Sequence, residues 1–204
     1  MTALTVKNLT KQYPGKPVFR DLSVQAENRK VGVAGSNGAG KSTFLRCISG
    51  LIPSNSGTIE WTVDQNKYSA TEIQPFLGFS APYVELYEEL TAAENLQFIR
   101  DLRSDQDCAE IPELIKRFEI SEFFDSLYGS LSSGQRQRVK LAASVLHRPK
   151  ILCLDEPGTN LDEDGHHLVR NMTDQAVVDG GIVLLASNQP HELELCDIVI
   201  RLGG

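Results

Sequence analysis

Three early segments, Leu4/Val6, Val18/Arg20/Leu22/Val24 and Ile59/Trp61/Val63, read as an alternation of apolar and polar positions, with Arg20 the charged exception on the apolar register. That period predicts strands with one covered face, and Pro14-Gly15 and Ser56-Gly57 supply turn signals. Val31-Gly32-Val33-Ala34 is instead a continuous run, the pattern of a strand buried on both sides, and it leads into a glycine-rich stretch. From about Tyr87 to Arg148 the period becomes helical. Thr91-Ala92-Ala93-Glu94 predicts a capping box, followed by a stripe of Leu96, Ile99 and Leu102. A second helix is predicted after Ser133-Gly134, with Val139, Ala142, Ala143 and Leu146 on one face. Residues 150–154 and 181–186 are again short apolar runs, and Leu168, Met172 and Ala176 place a crossover helix between them, over roughly 164–178. Strand, helix, strand is a βαβ unit. The expected fold is therefore α/β, with a mainly parallel core sheet, an N-terminal antiparallel β layer and an inserted helical subdomain at roughly 84–147. All of it is read as one domain over residues 1–204.

Composition narrows the class without naming a function. With 41% hydrophobic and 23% charged residues among 204, the chain has the make-up of a globular domain. A net charge of −7, from 20 basic and 27 acidic residues, is unsuited to gripping nucleic-acid backbones, so any bound anion needs a dedicated local site. Cys47, Cys108, Cys153 and Cys196 are widely separated, with no metal-ligand spacing, and are expected as reduced, mostly packed thiols. The N-terminus carries no signal-peptide pattern, and no apolar run approaches the ~20 residues of a membrane span. The expectation is a cytoplasmic protein with no direct membrane insertion.

The glycine-rich stretch supplies the chemistry. Gly35-Ser36-Asn37-Gly38-Ala39-Gly40-Lys41-Ser42 fits G-x-x-x-x-G-K-[ST] between a buried strand and a helical stretch from Thr43 to Ser49. Glycines there let backbone N–H groups wrap a phosphate, and the helix N-terminus adds positive potential. The expected binding set is Gly35, Ser36, Asn37, Gly38, Ala39, Gly40, Lys41, Ser42 and Thr43. Lys41 meets the β- and γ-phosphates, and Ser42 is placed to ligate Mg²⁺. Asp155, at the end of a buried run, is expected to hold Mg²⁺ from the opposite side, and Glu156 to polarise the attacking water.

Two neighbouring classes lack support. Guanine-nucleotide switches need Asn-Lys-x-Asp, whereas Asn66-Lys67-Tyr68-Ser69 has no Asp; a small-molecule kinase would need an Arg-rich lid. Leu131-Ser132-Ser133-Gly134-Gln135 resembles the LSGGQ signature of ATP-binding-cassette (ABC) ATPases, and the resemblance covers essentially the whole chain. It implies a P-loop NTPase of ABC type that binds ATP and Mg²⁺ and pairs head to tail with a second copy or a homologous cassette. In that pair Ser132, Gly134 and Gln135 would close on the partner's ATP. Tyr13 matches the adenine-stacking aromatic, Glu156 the general base, and Asn160-Leu161-Asp162 the loop linking the two sites.

The chain departs from the family pattern at three places. Ser133 replaces a glycine, Pro82 replaces a glutamine that touches Mg²⁺ and the attacking water, and Asn188 replaces the switch histidine. Asn188 keeps one donor for a γ-phosphate oxygen but cannot carry charge. His191 is expected at the surface, and His166 and His167 on a solvated helix.

A single acidic cassette, without long heptad arms, zinc modules or a second cassette, favours a transporter ATPase working through a separate membrane-spanning subunit. The alternative is a non-transport ABC ATPase acting on nucleic acid or ribosomes. Ending at Gly204, directly after the last expected strand, the chain is similar in brevity to heme-exporter ATPase subunits, and export is the expected direction. It would sit on the cytoplasmic face of the membrane through its partner.

Overall fold

The computed structural model describes residues 1–103 and 107–203; Gly204 lies outside them. Strands β1 (Thr2–Tyr13), β2 (Lys16–Glu27), β4 (Ser56–Val63) and β5 (Asn66–Ser69) form an antiparallel sheet in the order β2-β1-β4-β5. Strands β3 (Lys30–Ala34), β6 (Leu77–Ser80), β7 (Ile151–Asp155), β8 (Ile182–Ser187) and β9 (Ile198–Arg201) form a parallel sheet ordered β6-β7-β8-β3-β9. The helices are α1 (Lys41–Ile48), α2 (Ala92–Leu102), α3 (Ile111–Arg117), α4 (Ser133–Val145), α5 (Glu163–Val178) and α6 (Pro190–Leu193).

Alternation along β7 and β8 shows why these runs are apolar throughout. Ile151, Cys153, Ile182 and Leu184 enter a core shared with α1 and the antiparallel sheet, where Phe44, Ile48, Leu4 and Trp61 are buried. Leu152, Leu154, Val183 and Leu185 face the other way, toward α2, α4 and α5, with Leu96, Val139 and Met172. Each strand therefore needs a hydrophobic residue at every position. The helical insert does not carry a separate core; its apolar faces share the second cluster with the sheet. Trp61 ties the layers together by donating its indole N–H to the Ile48 carbonyl at the end of α1, 2.8 Å away.

Both predicted helices are present, α4 beginning at Ser133 itself and not after Gly134. Thr91 accepts from the Glu94 N–H and Glu94 accepts from the Thr91 N–H, completing the capping box ahead of α2. The same reciprocal pair joins Ser132 and Gln135 ahead of α4, inside the signature segment.

Four local expectations are corrected. Ser56-Gly57 opens β4 instead of turning the chain: Gly57 has φ +90° and packs against Asn8 and Leu9, where β1 is irregular opposite it. In β2, Phe19 is buried and Arg20 is exposed, because the pairing slips between Lys11 and Leu9 and Asp21 adopts φ +49°. Such a bulge flips which face the following residues occupy. Leu102 is 68% exposed, although Leu96 is buried. Each step of three residues falls about 60° short of a full helical turn, so Leu102 stands about 120° round from Leu96. His166 is half-buried, not solvated, with its ring edge-on to His191 at 4.7 Å.

Candidate active site

The carboxyl ends of β3, β7 and β8 meet at one place, and the loops leaving them carry most of the expected residues. The loop after β3 turns into α1 through Gly40, with φ +102°; a Cβ there would collide with Val18. No side chain caps α1, so its first N–H groups remain directed at the loop, as an anion site requires. Lys41 is only 6% exposed and folds back over this loop, donating to the Gly35 carbonyl at 2.9 Å and the Ser36 carbonyl at 3.4 Å.

The acidic pair stands opposite. Glu156 lies 3.3 Å from the Lys41 ammonium, and its backbone, at φ +50°, is fixed by its N–H donating to the Ala186 carbonyl of β8. Asp155 is 2% exposed, and neither of its carboxylate oxygens has a hydrogen-bond partner. Burial pushes its pKa up; the Ser42 hydroxyl, close by but outside hydrogen-bonding geometry, draws it back, Glu156 raises it and Lys41 lowers it. A buried carboxylate with two open oxygens beside a serine hydroxyl suits a hard divalent cation with oxygen ligands. The residues present thus fit Mg²⁺.

A cleft of about 410 Å³ collects Tyr13, Ser36, Asn37, Gly38, Gly40, Lys41, Ser42, Thr43 and Glu156. Tyr13, 46% exposed, forms its rim, and the Lys11 ammonium sits 5.0 Å from the ring centroid. Asn188 joins the same place from β8, donating to the Asn37 side-chain oxygen at 3.1 Å. Ser132, Gly134 and Gln135 do not line this cleft. Their segment borders a separate cavity of about 360 Å³ with Pro82, Glu85, Glu156 and Asn160. Ser132 is exposed, and the side chains of Ser132 and Gln135 are engaged in the capping box. Pro82 lies exposed just beyond the end of β6, and the adjacent Tyr83 hydroxyl is pushed up to about 12 by burial and by the Asp155 carboxylate.

Several supporting residues escaped the sequence reading. Gln137 donates to the Pro157 carbonyl at 2.8 Å, which holds the loop after Glu156 against α4. Arg138 bridges Glu119, at 2.6 Å, and Asp162, at 3.1 Å. Glu85 accepts from the Tyr128 hydroxyl at 2.9 Å and pairs with Lys140 at 3.4 Å. Gln137, Arg138 and Lys140 follow the signature motif directly, the one local signal that pointed to them; their partners are remote in sequence.

A glycine-rich loop of phosphate-binding pattern, an acidic pair two strands away with Asp155 buried and Glu156 half-buried, and a helical insert bearing a capped, exposed signature turn define a nucleoside-triphosphatase of cassette type. The comparisons agree. The ABC transporter family profile matches residues 19–159, well over half of the chain. NatA, an ABC transporter ATP-binding protein of Bacillus subtilis, is 34% identical over 90% of this chain and 77% of its own length. The cytochrome c biogenesis ATP-binding export protein CcmA of Aliivibrio fischeri is 32% identical over 98% and 99%. The uncharacterised ABC transporter ATP-binding protein YdbJ of Bacillus subtilis is 32% identical over 97% of this chain, which spans 65% of YdbJ. A solved ATP-binding subunit of an ABC transporter superposes with a TM-score of 0.85 at 25% identity, covering 98% of this chain and 85% of that one. A dimeric cassette in a post-hydrolysis state with ADP and Pi shares the fold, with a TM-score of 0.84 at 24% identity over 98% and 94% of the two chains. The chain belongs to the ABC transporter family, as an ATP-binding ATPase cassette. Among the described residues, no helix is long and apolar enough to cross a membrane.

Proposed function

We propose that this cassette hydrolyses ATP in a head-to-tail pair and passes the resulting closure to a membrane-spanning subunit, with export as its direction. The observation that carries the reading is the cluster of buried Lys41, Glu156 at 3.3 Å and unpartnered Asp155 at the mouth of the phosphate loop. In this reading Gly35, Ser36, Asn37, Gly38, Ala39, Gly40 and Thr43 cradle the phosphates with backbone and hydroxyl donors, and Tyr13 stacks on adenine. Ser42 and Asp155 would hold Mg²⁺. When bound, the ion neutralises charge on the β- and γ-phosphate oxygens. Glu156 accepts the proton of the attacking water, Lys41 stabilises charge on the transferred phosphoryl group, and Asn188 donates to a γ-phosphate oxygen.

The position of Ser132, Gly134 and Gln135 outside the phosphate cleft of their own chain supports the pairing, in which they would serve the ATP of a second copy or a homologous cassette. The membrane partner would dock on the exposed aromatic ridge that follows β6. There Tyr87 and Phe98 pack edge to face at 5.3 Å with 56% and 39% exposure, next to exposed Leu102. That ridge is joined in sequence to Pro82 and through Glu85 to α4. CcmA and the lipopolysaccharide export protein LptB of Escherichia coli, 29% identical over 97% of this chain, support export by their names.

Removing a positioned base slows a reaction by ~10²–10⁴, roughly 3–5.5 kcal/mol of barrier. Glu156→Gln is therefore expected to lose steady-state hydrolysis by that factor, retain ATP binding and accumulate as an ATP-bound dimer in light scattering. Wild-type turnover in this variant would overturn the assignment.

A further inference from the structure

Behind the active-site loops, three metal-ligating side chains converge that the ATPase reading does not use. His166 lies in the first turn of α5, and His191 and Glu192 lie in α6; one ligand atom from each falls within 4.8 Å of the others. Glu192 is 1% exposed. Its Oε1 accepts from the Gly158 N–H at 2.8 Å, while its buried Oε2 has no partner. An unsatisfied buried carboxylate oxygen is costly, and this carboxylate lies beside two imidazoles, with no lysine or arginine paired to it among the described residues. Gly158 leaves the space: a Cβ at that position would meet the His166 ring at 2.7 Å and crowd the Glu192 carboxylate.

We propose that His166, His191 and Glu192 form a binding site for a divalent transition metal of the zinc class. Two neutral imidazoles and one carboxylate, with a fourth position open to water, match the ligand preference of Zn²⁺ and exclude Mg²⁺, which favours oxygen ligands alone. With metal–ligand bonds of about 2.0–2.1 Å, tetrahedral ligation needs donor atoms about 3.3 Å apart. His191 is exposed, so rotation of its side chain closes the remaining gap. The bound ion ties the first turn of α5 to α6, and through the Gly158–Glu192 hydrogen bond it restrains the loop that follows Glu156.

The test is titration of the chelator-stripped chain with Zn²⁺ against a chromophoric zinc indicator, together with the visible d–d bands of Co²⁺. One equivalent should bind, with a tetrahedral Co²⁺ spectrum free of thiolate charge-transfer bands, and Zn²⁺ should raise the melting temperature by linkage. Loss of one ligand should weaken affinity at least about tenfold, the lower end of what even an outer-sphere partner contributes. His191→Ala, at an exposed position, and His166→Ala should both do so. His167→Ala, on the exposed face of the same helix, and Asp155→Asn, at the ATP site, should bind as tightly as wild type. Failure of the wild type to compete with the indicator overturns the proposal. So does unchanged affinity in His191→Ala, or an equal loss in His167→Ala or Asp155→Asn, which would place the ion on scattered surface histidines or at the phosphate site.

Discussion

Asp155 holds the least compensated charge of the site. Its folded-state pKa lies above the ordinary 3.8, first because of burial, so the folded chain binds this proton more readily than the unfolded one. The carboxyl favours folding at pH below 3.8, and that contribution is lost as pH rises through the folded value. Asp155→Asn is therefore expected to raise the melting temperature at pH 7 in the absence of divalent ions, with the difference shrinking on acidification toward 3.8. A gain of about 1 kcal/mol corresponds to ~2–4 °C in a chain of this size, measurable by calorimetry at several pH values. Asn188 poses a complementary question. It reaches the phosphate loop through Asn37 at 3.1 Å, yet it has no titratable group. If charge and proton mobility at that position help align the γ-phosphate, Asn188→His should raise kcat on the order of tenfold, about 1.4 kcal/mol of barrier. A lower rate in a steady-state phosphate-release assay would count against that role. Both residues were legible from the sequence. Asp155 ends an apolar run and Asn188 follows another, and strand ends in a parallel sheet converge on one edge.

Helix α4 connects the signature turn to the rest of the cassette. Its N-terminus is capped by Ser132 and Gln135, its middle reaches Pro157 through Gln137 and Asp162 through Arg138, and His147 lies just beyond its end. His147 is 7% exposed and hydrogen-bonds through Nε2 to the Leu77 carbonyl at 3.0 Å, which fastens this end to β6. Its Nδ1 is buried without a partner. Burial pulls its pKa down to about 4, the Arg103 charge acts in the same direction, and the Leu77 carbonyl opposes both. The neutral ring therefore contributes stability that is present above pH 6.5 and lost as pH falls toward 4, because only the unfolded chain takes up the proton in that window. The unfolding free energy of the wild type should fall across it with a slope of up to ~1.4 kcal/mol per pH unit from this residue. His147→Gln should flatten that part of the curve, as urea titrations at pH 7, 6, 5 and 4.5 would show. The capping box of α2 was readable as Thr-x-x-Glu. The one in α4 is masked in the sequence, because Ser132 and Gln135 read as part of the signature while their side chains also satisfy the helix's own N–H groups.

For the whole molecule, the residues proposed for catalysis and those proposed for docking stand on different parts of the fold. The phosphate loop, Asp155 and Glu156 rest on the parallel sheet, whereas Tyr87, Phe98 and the signature turn belong to the helical insert, which shares its core with one face of that sheet. Replacing Tyr87 and Phe98 together by Ser is expected to leave the isolated cassette's basal ATPase within about twofold, since surface changes away from such features stay within ~0.5 kcal/mol. The same change should abolish co-purification with the membrane subunit. Retained co-purification would place the docking face elsewhere. The phosphate loop, the acidic pair, the signature and the α/β class all follow from local order, because a short motif between a strand and a helix carries its own backbone geometry and periodicity reports burial. Local order could not reveal that Phe19 and not Arg20 faces inward, since a bulge depends on the strand opposite. Nor could it show that Arg138 meets Asp162, that Glu85 meets Tyr128, or that His166, His191 and Glu192 converge. Those contacts join residues far apart in the chain, and only packing the helical insert and the final strands against one sheet brings them within reach.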